Sequence, residues 1–105
     1  YPATPISSYY ALNLAILHAF DSLYQEKNYQ VAYAMGLQFI ETALLEIPRH
    51  GYFYSERHRH EREASSQQAE RVCMLLEKVL GDEAQEEKSR LERLAKLARE
   101  QRIPT

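Results

Sequence analysis

The 105-residue chain has one cysteine, three glycines, four prolines and no tryptophan. A single cysteine, Cys73, excludes an internal disulfide framework and suits a reducing compartment. So few glycines and prolines leave room for few turns, which favours long helices. No apolar run approaches the roughly 18–20 residues that span a bilayer. The first residues contain no basic stretch followed by an apolar one, so no secretory leader is expected. Charge of one sign is scarce as well. The net charge is −2, and the charged residues, concentrated after Tyr54, are of mixed sign. That balance excludes the counterion-releasing surface a nucleic-acid binder needs.

What is present is an ordinary globular composition, 45% hydrophobic and 27% charged, enough for one domain with a modest core. Both ends read as cut, at Tyr1 without a methionine and inside a charged helix-like segment, so a module of a longer protein is expected. Pro2 and Pro5 predict an extended lead-in over 1–7, with Ser7 or Ser8 as helix cap. Leu12, Ile16, Ala19, Phe20 and Leu23 then recur at helical spacing, with Tyr10, Leu14, Leu17 and Tyr24 beside them. A first helix over about Ser8–Gln25 follows. Glu26-Lys27-Asn28 is a polar link with Asn28 as cap. The second helix carries Tyr29, Ala32, Gly36, Phe39, Ile40, Ala43, Leu44 and Ile47 on one face and ends at Pro48. So short a link makes the two helices antiparallel. Small Ala32 and Gly36 on the inner face predict close approach of the axes; the alternative is that Gly36 merely weakens its helix by about 1 kcal/mol.

The segment Pro48–Tyr54 reads as an aromatic loop capping one end of the bundle. Ser55 starts a third helix whose buried stripe is Ala64, Ala69, Val72, Leu75, Leu76 and Val79. The apolar phase continues past Gly81 through Ala84, Leu91, Leu94 and Ala98. One long, kinked helix is the preferred reading, with two separate helices, capped at Asp82 and Gln85, as the alternative. Glu86–Arg90 and Glu92–Lys96 are expected exposed pairs. The fold class is all-α: an antiparallel three-helix bundle over 8–80 with a charged helical extension over 81–105.

No residue pattern points to catalysis or to a cofactor. His58-Arg-His60 has H-x-H spacing, but on a helix these imidazoles diverge, so no metal site is expected. His18 reads as half-buried, Cys73 as core, and Glu41 and Glu46 lack partners for acid–base work. The margin between the second and third helices is the candidate site. Tyr33 and Leu37 on one side, with Arg71, Met74 and Lys78 on the other, predict a groove with an apolar floor and basic walls. It would suit an acidic amphipathic helix, unless the apolar members are simply core. The other reading is homodimerisation through the stripe from Leu76 to Ala98.

Certain residues carry a family resemblance. They are Pro5-Ile6-x-x-Tyr9-Tyr10, Leu23-Tyr24-x-Glu26-Lys27-Asn28, Ala32-Tyr33, and Ile47-Pro48-x-His50-x-x-aromatic. Over Pro5–Tyr54 the chain resembles the N-terminal domain of AMSH-type deubiquitinases, itself similar to that of the endosomal ubiquitin protease UBPY and of a fungal regulator of free ubiquitin chains. The resemblance implies a bundle like the microtubule-interacting and transport (MIT) fold. It also implies binding to helical C-terminal tails of ESCRT-III subunits or self-association, and a cytoplasmic, endosome-associated setting. The family's zinc-protease motif is not matched: counting from His60, Gln68 and Arg71 stand where its Ser and Asp would fall. His58 and His60 are therefore not zinc ligands by this route, and the module is expected to be non-catalytic.

Overall fold

The computed structural model describes residues 4–102, and every described element is helical. Helix α1 spans Ile6–Gln25 and α2 spans Tyr29–Glu41. α2 passes through a π turn at Thr42–Glu46 into a 3-10 turn at Ile47–Arg49 that holds Pro48. A 3-10 turn at Glu56–His58 leads into α3, Arg59–Val79, and α4 spans Gln85–Arg102. The start of the extended lead-in and the closing Ile103-Pro104 lie outside the described residues.

The helix ends show where local chemistry differs from the sequence expectation. α1 starts at Ile6, with Pro5 at the cap in extended conformation (φ −64°, ψ 147°). Proline lacks only an N–H that a helix start leaves unpaired anyway, so neither Ser7 nor Ser8 is the cap. Asn28 makes no side-chain cap bond to α2 either. The corner is closed by backbone instead: Asn28 N–H donates to Leu23 O and Lys27 N–H to Tyr24 O, both at 3.0 Å. This is a Schellman closure, whose turn residue must adopt a left-handed conformation. Lys27 does so at φ 63°, where glycine is the unstrained choice. Ser55 does cap, its Oγ accepting from Arg57 N–H at 3.3 Å.

α1 and α2 pack antiparallel around Phe20, Ala32, Phe39 and Ile40, all buried. Gly36 is where the chains approach closely. A Cβ there would lie 3.0 Å from both Leu76 Cδ2 and Phe20 Cε1, so a side chain at this position would force its neighbours to shift by a few tenths of an ångström. At one end Phe53 is buried with Ile6, Tyr10 and Ile47 in a second cluster. Arg62 fastens that loop, donating to Phe53 O at 2.8 Å and Ser55 O at 3.2 Å. Of the aromatic loop only Phe53 is inside; Tyr52 and Tyr54 are exposed. Three stripe assignments are corrected. Tyr29, at the first position of α2, is 40% exposed. Leu12 is 66% exposed, and Ala64 is exposed. The buried line of α1 is Tyr10, Asn13, Leu17 and Phe20, and the polar Asn13 in its middle conceals it from a count of apolar residues.

The third helix does not continue. Leu80 leaves helical conformation (φ −77°, ψ 145°), Ala84 N–H closes a turn onto Gly81 O at 3.1 Å, and Gln85 Nε2 donates to Asp82 O at 2.8 Å. α4 then folds back, so the described residues form four α-helices rather than three. It buries Leu91, Leu94, Ala95 and Ala98 in the core shared with α2 and α3. Arg90 pairs with Glu41 of α2 at 2.6 Å rather than with Glu86, and Arg99 and Arg102 both bond Glu70 of α3 at 2.8 and 2.6 Å. Gln101 Nε2 donates to Leu44 O at 3.2 Å. The apolar phase that survives Gly81 is explained by two helices facing one core, and it places Leu76, Leu91, Leu94 and Ala98 against each other inside one chain.

Candidate partner-binding surface

The five residues predicted to line one groove fall on two surfaces. Tyr33 and Leu37 are half-buried against the main core on the side of α2 that faces α4. Burial raises the Tyr33 phenol pKa, Glu87 of α4 raises it further, and Arg90 of α4 opposes them. Glu41, two helical turns beyond Tyr33, carries the Arg90 pair. α4 therefore borders this margin. Arg71, Met74 and Lys78 lie together on α3, bordering with Glu70 and Leu75 a shallow depression of about 330 Å³. Met74 is 54% exposed. Arg71 turns towards α1: one Nη donates to both Asp21 carboxylate oxygens at 3.0 and 3.1 Å, and Nε donates to Gln68 Oε1 at 2.7 Å. A core helix has two margins, and the sequence pattern does not say which one a neighbour covers. Only the returning α4 decides it.

The margin left open lies between α1 and α3, which run in the same direction. Here a cavity of about 310 Å³ opens between Tyr10, Leu14 and Leu17 of α1 and Ala64, Ser65 and Gln68 of α3, with Phe39 and Asn13 also on its walls. Leu14 is 49% exposed at its mouth. Gln68 lines this cavity and also receives the Arg71 hydrogen bond, so the cavity and the α3 depression are neighbours. Asn13 is 2% exposed, with Nδ2 donating to Phe39 O at 3.2 Å. Burial pushes the Tyr10 phenol up to about 12; Arg62 opposes that shift and Glu61 adds to it. In the sequence, Asn13 is marked only as an amide inside an otherwise apolar stripe.

Two of the histidines make structural contacts. His50 Nδ1 accepts from Tyr52 N–H at 3.1 Å, which leaves Nε2–H to donate to Thr4 O at 3.0 Å. His58 Nδ1 meets Glu61 Oε1 at 2.7 Å, whereas His60 is exposed, so the H-x-H pair diverges. His18 is exposed rather than half-buried. Cys73 is buried, and desolvation pushes its thiol up to about 12, far from a reactive thiolate. Among the described residues no three His, Cys, Asp or Glu side chains gather as metal ligands, and no helix is long and apolar enough to cross a membrane. What the α1–α3 face offers is apolar area, hydrogen-bonding groups and charges of both signs, Arg71 being paired with Asp21. In comparisons with protein-family models, with curated proteins and with solved structures, the chain matches none.

Proposed function

We propose that the chain is a non-catalytic binding module that takes an amphipathic helix of a partner protein along the α1–α3 margin. The observation that carries this reading is the open cavity beside Leu14 and Ala64, with Arg71, Met74 and Lys78 on the adjoining surface of α3. Apolar residues of the partner helix would enter beside Leu14, and acidic residues would approach Lys78 and Arg71. Tyr33 and Leu37 drop out of the contact set, since α4 borders their side of α2.

The choice of partner rests on the resemblance of Pro5–Tyr54 to AMSH-type N-terminal domains. On that ground the helix belongs to an ESCRT-III C-terminal tail, and the module brings a deubiquitinase or its regulator to endosomal sorting machinery. Calorimetry with a panel of such tails tests the reading. Arg71→Glu with Lys78→Glu should weaken binding at least about fivefold, the scale of two screened surface charges, while Leu37→Ala leaves it unchanged. Equal affinity for the double variant would remove this surface. The dimer reading has less support, because the stripe meant to pair with a second copy is buried within one chain.

A further inference from the structure

The two cations of the α3 depression, Arg71 and Lys78, lie about two turns apart on one helical row. Their surroundings differ. Lys78 is exposed and belongs to none of the ion pairs among the described residues. Arg71 is engaged on two sides: one Nη donates to both Asp21 carboxylate oxygens and Nε donates to Gln68 Oε1. Among the described residues its pair with Asp21 is the only ion pair that joins α1 to α3. Helical spacing places it on the margin between them. Leu14, His18 and Asp21 follow one row of α1, and Ala64, Gln68, Arg71, Leu75 and Lys78 follow one row of α3. The side chains of Asp21 and Arg71 keep 41% and 40% of their surface in solvent. A pair so exposed contributes little to folding, because water and salt screen it, and an incoming group can reach it.

On the reading that an acidic helix docks at the α1–α3 margin, we infer that Asp21 sets the specificity of this surface. It holds Arg71 against a partner carboxylate and leaves Lys78 as the cation that such a partner meets unopposed. A carboxylate arriving at Arg71 finds the positive charge already neutralised and a second carboxylate beside it. If it displaces Asp21, an unpaired anion is left at the interface. If it shares the guanidinium, it suffers like-charge repulsion at a few ångströms. Neither cost arises at Lys78, since Glu70, the acidic residue on the same depression, is held by Arg99 and Arg102. Helices whose acidic residues fall opposite Arg71 are therefore disfavoured, and those with an acid near Lys78 are accepted. Asp21 acts by opposition, so removing its charge strengthens the binding of an acidic helix. Were the ion pair only a brace that shapes the groove, removing it would weaken binding or leave it unchanged.

The test is calorimetry of the full chain with acidic ESCRT-III tail peptides, each compared with the same peptide carrying glutamine in place of its acidic residues. Asp21→Asn, nearly the same in shape, should bind the acidic peptide at least about threefold more tightly than the wild type. It should bind the glutamine peptide no more tightly. Glu46→Gln makes the same change of charge beside Tyr9 and His50, outside the groove, and should give no gain. Lys78→Gln should weaken the acidic peptide at least about threefold. Thermal unfolding checks that Asp21→Asn keeps the fold, and Asp21→Ala repeats the measurement without an amide. With the wild type binding, unchanged or weaker binding by both Asp21 variants overturns the inference and leaves the proposed surface standing. An equal gain for the glutamine peptide or for Glu46→Gln overturns it as well, and so does Lys78→Gln without loss. Peptides that bind neither the wild type nor the variants overturn the proposed function and the role of Asp21 with it. A peptide that binds only the Asp21 variants supports both.

Discussion

Adding one methyl group at Gly36 sets two effects of opposite sign against each other. Alanine in a helix interior is about 1 kcal/mol more favourable than glycine, so by propensity alone Gly36→Ala stabilises. Packing opposes this. The new Cβ would lie 3.0 Å from Leu76 Cδ2 and Phe20 Cε1, well inside normal carbon–carbon contact. Both side chains are fully buried, so neither can swing into solvent, and relief requires α2 to move away from α1 and α3. Overpacking of this kind costs roughly 1–3 kcal/mol, and with two fully enclosed neighbours the upper half of that range applies. The net expectation is destabilisation by about 1–2 kcal/mol, or a Tm lower by roughly 4–16 °C for a domain of this size. Urea unfolding followed by helical circular dichroism measures it. Gly51→Ala is the control, because a Cβ there meets nothing within 4 Å. If Gly36→Ala raises the urea midpoint, the close approach does not exist and the packing of the first two helices is wrong.

Other expectations concern the corner, the α4 attachment and alkaline pH. Lys27→Gly should stabilise by about 1 kcal/mol by relieving the left-handed lysine, seen as a higher urea midpoint; a lower one would contradict the Schellman closure. Glu70→Gln removes the charge and one of the two acceptor oxygens that Arg99 and Arg102 share and should cost about 1–2 kcal/mol, with faster amide exchange in the last turn of α4. Hydrogen bonds from Arg99 and then Arg102 hold the Glu70 carboxyl below its ordinary 4.5. A carboxyl depressed in the fold stabilises above its unfolded pKa and loses that contribution as pH falls through the folded value. The wild-type protein should therefore lose stability below about pH 4.5, and Glu70→Gln should lose less. Cys73 and Tyr10 act oppositely: both are pushed up to about 12 from 9.0 and 10.0. Stability should therefore decline as pH rises from about 9 to 12, more gently in Tyr10→Phe, and native Cys73 should react with thiol reagents only at the rate of unfolding.

The all-α class, the antiparallel first pair and the close approach at Gly36 were legible because they depend on helical periodicity and on one small residue facing inwards. The break after Val79 was less so. Periodicity cannot distinguish one long helix from two that face the same core, since Leu76, Leu91, Leu94 and Ala98 keep phase in either arrangement. Gly81, with Asp82 and Gln85 after it, was the available signal. The candidate groove was only partly readable for the same reason. Arg71, Met74 and Lys78 border one depression on α3, because a helix fixes which residues share a row. Their pairing with Tyr33 and Leu37 required knowing where α4 lies. Asn13, the polar residue at the α1–α3 cavity, was hidden by its apolar neighbours.

The central claim is that α4 closes the α2 side of the bundle and leaves the α1–α3 face for a partner. Mapping amide and methyl shifts of the isotope-labelled chain during titration with an acidic helical tail tests it most directly. The expected result is a continuous band of shifts over Leu14, Ala64, Gln68, Arg71 and Lys78, with Tyr33, Leu37 and the α4 residue Leu91 unchanged. Shifts centred on Tyr33 and Leu37, with α4 losing its helical signals, would show that the partner takes the other margin and contradict the account.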